Sequence, residues 1–385
     1  MKRPLHIAYV SVDDPLDRRS WSGTVHHLLK ALQRQGAQVD AVGPLRPQPW
    51  LFLCQALNQL LLRTSNRRFN YRDSRLLART YARMIQPRVG AADLVVAPAG
   101  LATTALLKSP APIVYINDRS IAGALGYHRI LQDLAPFSRR ESLALEREAL
   151  HSASLVVYSS QWAAEAARKA LPEAAHKVRV IPFGANLEQP PPAPAPRPFP
   201  PSRLKLLMIG VNWVEKGGPI AYQALQELKR RGVPAQLVVC GCEPPAEMDD
   251  PDLLREGFLN KNVPAERARL EEHLRTADLL LLPTRFEAYG IVLCEAAAYG
   301  LPVLATRTGG IPSIVEEERT GFLFAPEADG TAYADRIQEL LRDPARWQAM
   351  RAASRDRYEA TLNWDAFVRS MLEAAQEVGA INSAR

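Results

Sequence analysis

Short apolar runs typical of buried strands alternate with helical patterns along this chain, and the alternation limits its fold more than any other feature. The first apolar run spans residues 5–10 and precedes a helical pattern in which Val25, Leu28, Leu29 and Leu32 have the i, i+3, i+4, i+7 spacing. Further strands are predicted at 38–43, 94–97, 113–116, 155–158 and 178–181, and helices at 139–150 and 161–170. Such alternation predicts a parallel sheet covered by helices on both faces.

A proline-rich segment interrupts this pattern. Eight of the twelve residues at 190–201 are proline, a composition that favours extended polyproline geometry, so 188–203 is interpreted as an interdomain linker that packs in no core. The alternation then restarts, with strands predicted at 204–209, 236–239, 279–282 and 302–305 and helices at 220–229 and 291–299. The sequence therefore predicts an N-terminal domain at 1–187 and a C-terminal domain at 204–363. A C-terminal helix at 364–378, with Phe367, Val368, Met371, Leu372 and Ala375 at helical spacing, is predicted to pack back on the N-terminal domain.

Two doubly wound α/β domains that face a cleft are the fold expected from this organisation, and 385 residues are enough for two cores. Such sheets bind ligands at the carboxyl ends of their strands, so two substrates could meet in the cleft. The first loop, residues 11–23, contains no Gly-x-Gly-x-x-Gly and is too long for that motif. A dinucleotide-dependent dehydrogenase is therefore disfavoured.

The composition, with 47% hydrophobic and 23% charged residues, is that of a globular protein. The start of the chain lacks the features of a signal peptide, and no apolar stretch reaches bilayer length, the nearest being 50–62. Four cysteines at irregular spacing indicate neither a disulfide framework nor a zinc site. A cytoplasmic location is expected.

The net charge of +7 is unevenly distributed along the chain. Residues 1–187 contain 25 Lys and Arg against 13 Asp and Glu, whereas the remainder contains 23 against 28. The N-terminal half should therefore be the one that meets an anionic partner. The basic residues lack interleaved aromatic residues and a nucleic-acid-binding motif, so no nucleic-acid partner is expected.

Two glutamates near the end of the second domain are the main candidates for chemistry. Glu287 follows the apolar strand at 279–282, and Glu295 lies about one turn inside the next predicted helix. Gly290 lies between them and allows a ligand close to the backbone, and the N–H groups of Gly290, Ile291 and Val292 start the helix. A helix start of this kind binds a diphosphate, so the carboxylates are expected to flank an anion site. Alone, the two glutamates could be ordinary surface residues.

This arrangement resembles the retaining GT-B glycosyltransferases of family 4 (glycosyl transferases group 1), and the resemblance spans nearly the whole chain. It is carried in the first domain by 21–24 and 181–186, and in the second by Gly210, 213–218, 283–295, 309–312 and Gly321. The resemblance implies two Rossmann-like domains in a GT-B fold and a nucleotide diphosphate sugar as donor. It also implies that Glu287 lies at the donor sugar and that Glu295 accepts hydrogen bonds from the ribose hydroxyls. Tyr289 is counted among the donor-binding residues.

Lys216 precedes two glycines and Pro219, which is suited to the first position of a helix. A lysine beside a helix start is unfavourable unless an anion lies between them, although it could be a surface residue. The resemblance implies that Lys216 neutralises the departing diphosphate, where negative charge develops. Family members commonly have an arginine at the position of Val211, and Arg285 is a candidate replacement from its position alone.

In the first domain, Ser22, Gly23 and Thr24 open the first helix, with Ser22 or Thr24 as a possible N-cap. The resemblance implies that Gly23 contacts the donor phosphate or the acceptor. Asp118 follows a predicted strand and is a candidate catalytic or acceptor-side residue, with an ordinary turn aspartate as the equal alternative.

No metal and no cofactor is expected. Asp250-Pro251-Asp252 matches the Asp-x-Asp string of metal-dependent glycosyltransferases, but it lies in an acidic, proline-rich loop and is interpreted as solvated surface. His26 and His27 are interpreted as packing residues. In the resembling family, retention is explained by attack of the acceptor hydroxyl on the face that the nucleotide leaves, without a protein nucleophile.

The function expected is therefore retaining transfer of a hexose from a nucleotide sugar to a glycan or lipid-linked acceptor. Two alternatives remain open: another GT-B activity such as a sugar nucleotide epimerase, and an inactive homologue that acts as a binding subunit.

A stretch with eight arginines and one acidic residue, Asp73, extends from residue 63 to residue 88. Five of the arginines recur at steps of three or four and are predicted to line one face of a helix: Arg68, Arg72, Arg75, Arg79 and Arg83. A face with one sign of charge suits an anionic membrane or a phosphorylated acceptor, although a solvated helix face is the alternative. Peripheral attachment to the inner face of the membrane is the expectation.

Overall fold

The computed structural model describes residues 3–127 and 129–381. The chain forms two compact units, unit 1 with Met1–Pro182 and Trp364–Arg385 and unit 2 with Phe183–Asn363. Each unit contains its own six-stranded sheet in which all strand pairs are parallel. This is the predicted architecture.

The sheet of unit 1 has the strand order β2-β1-β3-β4-β5-β6. Its strands are β1 His6–Val10, β2 Gln38–Val42, β3 Leu94–Pro98, β4 Ile113–Asn117, β5 Leu155–Tyr158 and β6 Val178–Val180. The helices between them are α1 Thr24–Arg34, α2 Trp50–Ser65, α3 Arg75–Ile85, α4 Leu101–Thr104, α5 Ile121–Ala124, α6 Pro136–Ser152 and α7 Gln161–Ala170. β3 and β5 are buried along their whole length, as continuous apolar strands between two layers of helices should be.

The sheet of unit 2 has the strand order β12-β11-β10-β7-β8-β9. Its strands are β7 Leu204–Ile209, β8 Ala235–Cys240, β9 Leu253–Gly257, β10 Leu279–Leu282, β11 Val303–Thr306 and β12 Gly321–Phe324. The helices are α8 Gly218–Arg230, α9 Pro264–Thr276, α10 Ile291–Ala298, α11 Gly330–Leu341 and α12 Pro344–Ala360. In register, Leu206 of β7 lies opposite Leu237 of β8 and Leu279 of β10.

The last helix, α13 Trp364–Glu377, belongs to unit 1 although the chain reaches it after unit 2. It packs against α1 and β5 and buries Phe367, Val368 and Met371. Arg34 of α1 binds Asp365 with a distance of 2.9 Å between the guanidinium nitrogen and the carboxylate oxygen. The apolar residues that recur along this helix therefore pack within unit 1.

The proline-rich segment is part of unit 2, so the interpretation of 188–203 as a linker outside any core was wrong. Phe199 is 8% exposed and stacks on the buried Trp347 with ring centroids 4.1 Å apart. Arg197 lies 3.0 Å from the buried carboxylate of Asp278. The extended backbone of a proline-rich chain leaves carbonyl groups free to accept hydrogen bonds, and the carbonyl of Ala195 accepts one from Arg351.

The five arginines predicted on one helix do not share a helix. α2 ends at Ser65 and is followed by its C-cap Asn66 in the left-handed conformation, and α3 begins only after Ser74, which caps it with its side chain. Arg68 lies in an isolated bridge with Leu134, and Arg72 lies in the short turn Tyr71–Asp73. On α3, Arg75, Arg79 and Arg83 remain at steps of four.

These three arginines of α3 differ in their surroundings. Arg75 forms an ion pair with Glu148 of α6, whereas Arg79 and Arg83 are exposed. Outside α3, Arg72 is exposed as well. The predicted five-arginine stripe is thus reduced to exposed arginines on two adjoining elements.

None of the helices within residues 3–127 and 129–381 combines the length and the apolarity needed to cross a bilayer.

Candidate functional site

The point where strand order reverses in unit 2 lies between β7 and β10. β7 comes first in the chain, and its neighbours β8 and β10 lie on opposite sides of it. The loops that follow β7 and β10 therefore leave adjacent carboxyl ends and diverge. In open parallel sheets this is the position where ligands bind.

Lys216, from the loop after β7, and Glu287, from the loop after β10, meet at this position. The Lys216 ammonium lies 2.5 Å from the Glu287 carboxylate, and the two side chains are 22% and 15% exposed. The stem of Lys216 runs over Gly210, where an added Cβ would stand 2.5 Å from the lysine Cγ. The absence of a side chain at Gly210 thus allows the lysine side chain to pass over the carboxyl end of β7.

The two loops are fastened to each other through their backbones. The N–H of Arg285 and the hydroxyl of Thr284 donate to the carbonyl of Glu215, at 3.0 and 2.9 Å. Gly217 has φ +78°, and an added Cβ would stand 1.9 Å from the carbonyl oxygen of Pro283. The position of the loop that carries Lys216 is therefore fixed relative to the loop that carries Glu287.

Helix α10 starts beside Glu287. Gly290, its N-cap, has φ +98°, and an added Cβ would lie 3.4 Å from the Cγ of Glu287. The N–H of Gly310 donates to the carbonyl of Glu287 at 3.3 Å and fixes that residue from the other side. The N–H groups of Gly290, Ile291 and Val292 at the start of α10 and the positive end of its dipole form a surface that favours an anion.

Glu295 lies inside α10 and is 2% exposed. Its carboxylate is 2.6 Å from the ammonium of Lys261, which comes from the loop between β9 and α9. Lys261 was not predicted from the sequence. A signal was available, since a lysine that follows a strand in a parallel sheet lies at the same sheet edge as the other candidates, but β9 itself was not predicted.

Two further predicted donor residues are already engaged within unit 2. The guanidinium of Arg285 is exposed and donates to the carbonyl of Pro326. Tyr289 is 3% exposed, and its hydroxyl donates to the carbonyl of Phe183 at 3.0 Å. Burial holds the pKa of the Tyr289 hydroxyl well above its ordinary value. The side chain of Tyr289 therefore supports the loop from a buried position and does not face a ligand.

In unit 1, Trp21, Ser22 and Gly23 all have positive φ, at 46°, 59° and 99°. Such a run is strained for the two residues with side chains and is a feature found at functional sites. Gly23 is the N-cap of α1, so neither Ser22 nor Thr24 caps the helix as expected. The indole of Trp21 donates to the carboxylate of Asp118 at 3.0 Å, which joins the loops after β1 and β4. Gly23 and Asp118 thus belong to one edge of the unit 1 sheet.

Several polar groups predicted to be non-catalytic are packed. His26 and His27 are buried, which confirms the packing interpretation. Asp250 and Asp252 both bind the ammonium of Lys229, at 2.7 and 2.6 Å, so the interpretation of a merely solvated pair was wrong. No group of three or more His, Cys, Asp or Glu side chains in the described part of the chain could hold a metal ion.

The site in unit 2 combines two carboxylates, two lysines and a helix N-terminus. Each carboxylate forms an ion pair with one lysine. A bound anion can take over the ion pairs of the lysines, and the carboxylates can then accept hydrogen bonds from hydroxyl groups. The arrangement is suited to a ligand with both phosphates and a polyhydroxylated portion.

Comparison with known families agrees with this geometry. Residues 193–357 match the glycosyl transferases group 1, and residues 23–189 match glycosyltransferase family 4. The chain belongs to the group 1 GT-B glycosyltransferases. The family resemblance seen in the sequence is confirmed.

Two curated relatives match part of this glycosyltransferase chain. A D-inositol 3-phosphate glycosyltransferase of Corynebacterium urealyticum is 28% identical over 221 residues, which are 51% of each protein. A GDP-mannose-dependent alpha-(1-6)-phosphatidylinositol monomannoside mannosyltransferase of Mycolicibacterium smegmatis is 34% identical over 164 residues, 39% of this chain and 41% of that protein. The chain spans about half the length of these relatives, or less.

Among solved structures, HepE of Anabaena in complex with UDP-glucose matches with a TM-score of 0.62 at 17% identity. The match covers 97% of this chain and all of that one. The likeness shows the GT-B fold of the glycosyltransferase, and the predicted fold class is confirmed.

Proposed function

We propose that this glycosyltransferase moves a sugar from a nucleoside diphosphate sugar to a glycan or lipid-linked acceptor, with retention of anomeric configuration. The observation that carries the proposal is the Lys216–Glu287 pair at the strand-order reversal of unit 2, beside the N-terminus of α10. The names of the relatives support the donor class, since HepE binds UDP-glucose and the mycobacterial relative depends on GDP-mannose.

Each group of the site has a proposed part in the reaction. The diphosphate lies against Lys216 and the first N–H groups of α10, at Gly290 and Ile291, because negative charge on the leaving phosphate grows as the glycosidic bond breaks. Glu287 exchanges its lysine partner for hydroxyls of the donor sugar. Glu295, with Lys261, accepts hydrogen bonds from the ribose.

Other proposed contacts rest on position. Arg285 supplies a second cation to the diphosphate if its guanidinium leaves the carbonyl of Pro326. Tyr289 positions the loop from within the core of unit 2. In unit 1, Gly23 offers its backbone to phosphate or acceptor, and Asp118 lies on the acceptor side. Retention then follows from attack of the acceptor hydroxyl on the face that the nucleotide leaves, with its proton passing to the departing phosphate.

No protein nucleophile and no metal ion is assigned a part in this proposal. The protein contributes positioning and charge stabilisation at the donor phosphate and sugar.

A donor screen tests the proposed function. We expect one of UDP-, GDP- and ADP-sugars to raise the melting temperature of the protein and to be hydrolysed slowly without acceptor, with release of the nucleoside diphosphate. The released sugar should keep its anomeric configuration when NMR follows the first turnovers. Absence of both stabilisation and turnover across all three donor classes would contradict the proposal.

We also propose that the protein attaches peripherally to anionic membranes, where a lipid-linked acceptor would be found. The support is the exposed arginines of the 63–88 stretch, namely Arg72, Arg79 and Arg83. Arg68 and Arg75 contribute less, since Arg68 is half-buried and Arg75 is paired with Glu148. Cosedimentation with anionic vesicles should fall when the three exposed arginines are changed to Gln and when salt is raised.

A further inference from the structure

Helix α2, Trp50–Ser65, presents apolar side chains to solvent. Within this helix only Cys54 is buried. Five large hydrophobic residues are exposed, namely Trp50 at 44%, Phe52 at 72%, Leu53 at 56%, Leu57 at 39% and Leu60 at 57%. A helix at the surface of a globular protein ordinarily shows the reverse pattern, with its apolar residues turned to the core.

The exposed residues form one continuous face. Trp50, Leu53, Leu57 and Leu60 follow at steps of three, four and three, which places them along one side of a helix, and Phe52 lies on its flank. The opposite side is held by the protein, since the side-chain oxygen of Asn58 accepts a hydrogen bond from the N–H of Phe69 at 2.8 Å. The helix is therefore anchored with its apolar face outward.

A further exposed aromatic residue, Phe137 at the start of α6, is 42% exposed, and its ring centroid lies 5.5 Å from that of the buried Phe69. The exposed apolar face of α2 is a surface of the kind that another molecule covers. The nature of that molecule follows from the charges around the face.

The segment of the chain that contains α2 carries charge of one sign. Residues 41–72 contain five arginines and no aspartate or glutamate. Arg46, Arg63 and Arg67 of this span are exposed. From Trp50 to Leu62 the helix itself carries no charge.

A groove beside this region adds further cations. A cavity of about 400 Å³ is lined by Arg67 and Arg139, by one acidic residue, Asp133, and by apolar residues that include Leu131 and Leu134. A neighbouring cavity of about 360 Å³ shares Arg67, Leu134 and Arg139 with it and adds Arg140. This second cavity has three arginines beside Leu134, Pro136 and Leu143 and no acidic residue in its lining, which fits a phospholipid headgroup with the start of its acyl chain.

We infer that α2 docks into the surface of an anionic lipid bilayer, with its apolar face among the acyl chains and Arg46, Arg63 and Arg67 on lipid phosphates. An uncharged apolar face bordered by arginines is complementary to such a surface. A second copy of the chain fits less well, because pairing two α2 faces would bring the arginines of both copies together without acidic partners in 41–72. The inference rests on the membrane contact of the proposed function and gives it a hydrophobic component.

Vesicle binding by matched variants tests this inference. The test variant changes Phe52, Leu53 and Leu60 to Gln, and the control variant changes Leu16 and Phe258, which are 61% and 60% exposed elsewhere, to Gln. Vesicles of phosphatidylcholine alone and with phosphatidylglycerol are sedimented with each protein at low and high salt. We expect the test variant to lose at least about ten-fold in affinity for the anionic vesicles and the control to bind as wild type.

A second measurement locates the helix in the bilayer. Brominated lipids should quench tryptophan fluorescence in the wild type, and the quenching should fall in a Trp50→Phe variant. If the α2 test variant binds vesicles as the wild type does, and only the variant with Arg72, Arg79 and Arg83 changed to Gln loses vesicle binding, the attachment is electrostatic alone and the inference is overturned. Absence of wild-type binding to anionic vesicles would also overturn it, as would a wild-type dimer in gel filtration that the α2 changes dissociate.

Donor hydrolysis without vesicles separates this inference from the proposed function. The α2 test variant should hydrolyse the donor at the wild-type rate, because its changed residues lie on the outer face of α2 in unit 1. If neither the wild type nor the α2 test variant hydrolyses any donor while the wild type still binds vesicles, the proposed function is contradicted and the docking of α2 is not.

Discussion

At the residue scale, the Lys216–Glu287 pair can be tested by changing either partner. Lys216→Ala and Glu287→Gln should each lower kcat by about 10²- to 10³-fold, the usual cost of removing one group that stabilises a transition state. The pair is partly exposed, so the loss in the free energy of unfolding should stay near 1 kcal/mol or below. Turnover assays and urea unfolding on the same preparations provide the comparison. Near wild-type turnover in both variants would remove these residues from the site.

Glu295 should behave differently because its proposed partner, the ribose, is remote from the bond that breaks. Glu295→Gln is expected to raise KM for the donor more than it lowers kcat, since uniform binding is lost. Steady-state kinetics over donor concentration measure the two effects separately. A fall in kcat with unchanged KM would place Glu295 at the reacting centre instead.

Gly217 is expected to be indispensable for the loop that carries Lys216. Gly217→Ala should cost more than about 2 kcal/mol in the free energy of unfolding, because it combines a positive φ with a Cβ at 1.9 Å from a carbonyl oxygen. Gly232→Ala is the matched control, since Gly232 has φ +75° and nothing within 4 Å of an added Cβ. The control should cost about 1 kcal/mol from backbone strain alone. Equal losses in the two variants would show that the approach to Pro283 is not tight.

Residue types and spacing predicted Lys216, Glu287 and Glu295 as candidates, and they lie at the carboxyl edge of the unit 2 sheet. The two lysine–carboxylate pairs could not be predicted, because each joins segments far apart in the chain. Lys261 was missed because strand β9, which precedes its loop, was not predicted. The hydrogen bond from Tyr289 to the carbonyl of Phe183 could not be predicted either. The sequence around a tyrosine in a ligand-binding loop does not indicate whether its ring is buried or exposed.

At the element scale, α13 should contribute to the stability of unit 1 although it is distant in sequence. Met371→Ala is expected to cost about 2–5 kcal/mol, the range for emptying a buried site of this size. Arg369→Ala, on the exposed side of the same helix, should stay within about 0.5 kcal/mol. Urea unfolding of both variants checks the difference. A similar small effect in both would indicate that α13 is only loosely attached.

The sequence predicted elements best where apolar periodicity was strong, as for β1, β7, β10 and α7. It failed where local signals compete. Between α2 and α3, Asn66 and Ser74 stop and cap helices, and those signals outweighed the arginine periodicity used to extend one helix through 68–83. In the proline-rich segment, the proline content outweighed the one aromatic residue, Phe199, which stacks on Trp347 in the core of unit 2.

At the scale of the whole molecule, the two units have separate sheets and separate cores, and the chain passes between them at 182–183 and 363–364. Buried free cysteines lie in both, Cys54 in unit 1 and Cys240 and Cys294 in unit 2. Burial raises the pKa of the Cys240 and Cys294 thiols to about 12, so these thiols should react only when their surroundings open. Thiol labelling therefore reports the unfolding of each unit by position.

This separation predicts how a core mutation in unit 2 should act. Leu281→Ala removes a fully buried side chain from β10 and should destabilise unit 2 by about 2–5 kcal/mol. Labelling of Cys240 and Cys294 in a urea series, followed by mass spectrometry of peptides, should then begin at lower urea than in the wild type. Labelling of Cys54 should keep its wild-type midpoint, because no core residue of unit 1 has changed. An equal shift of all three cysteines would show instead that the two units unfold as one cooperative body, and that the core of unit 2 supports unit 1 as well.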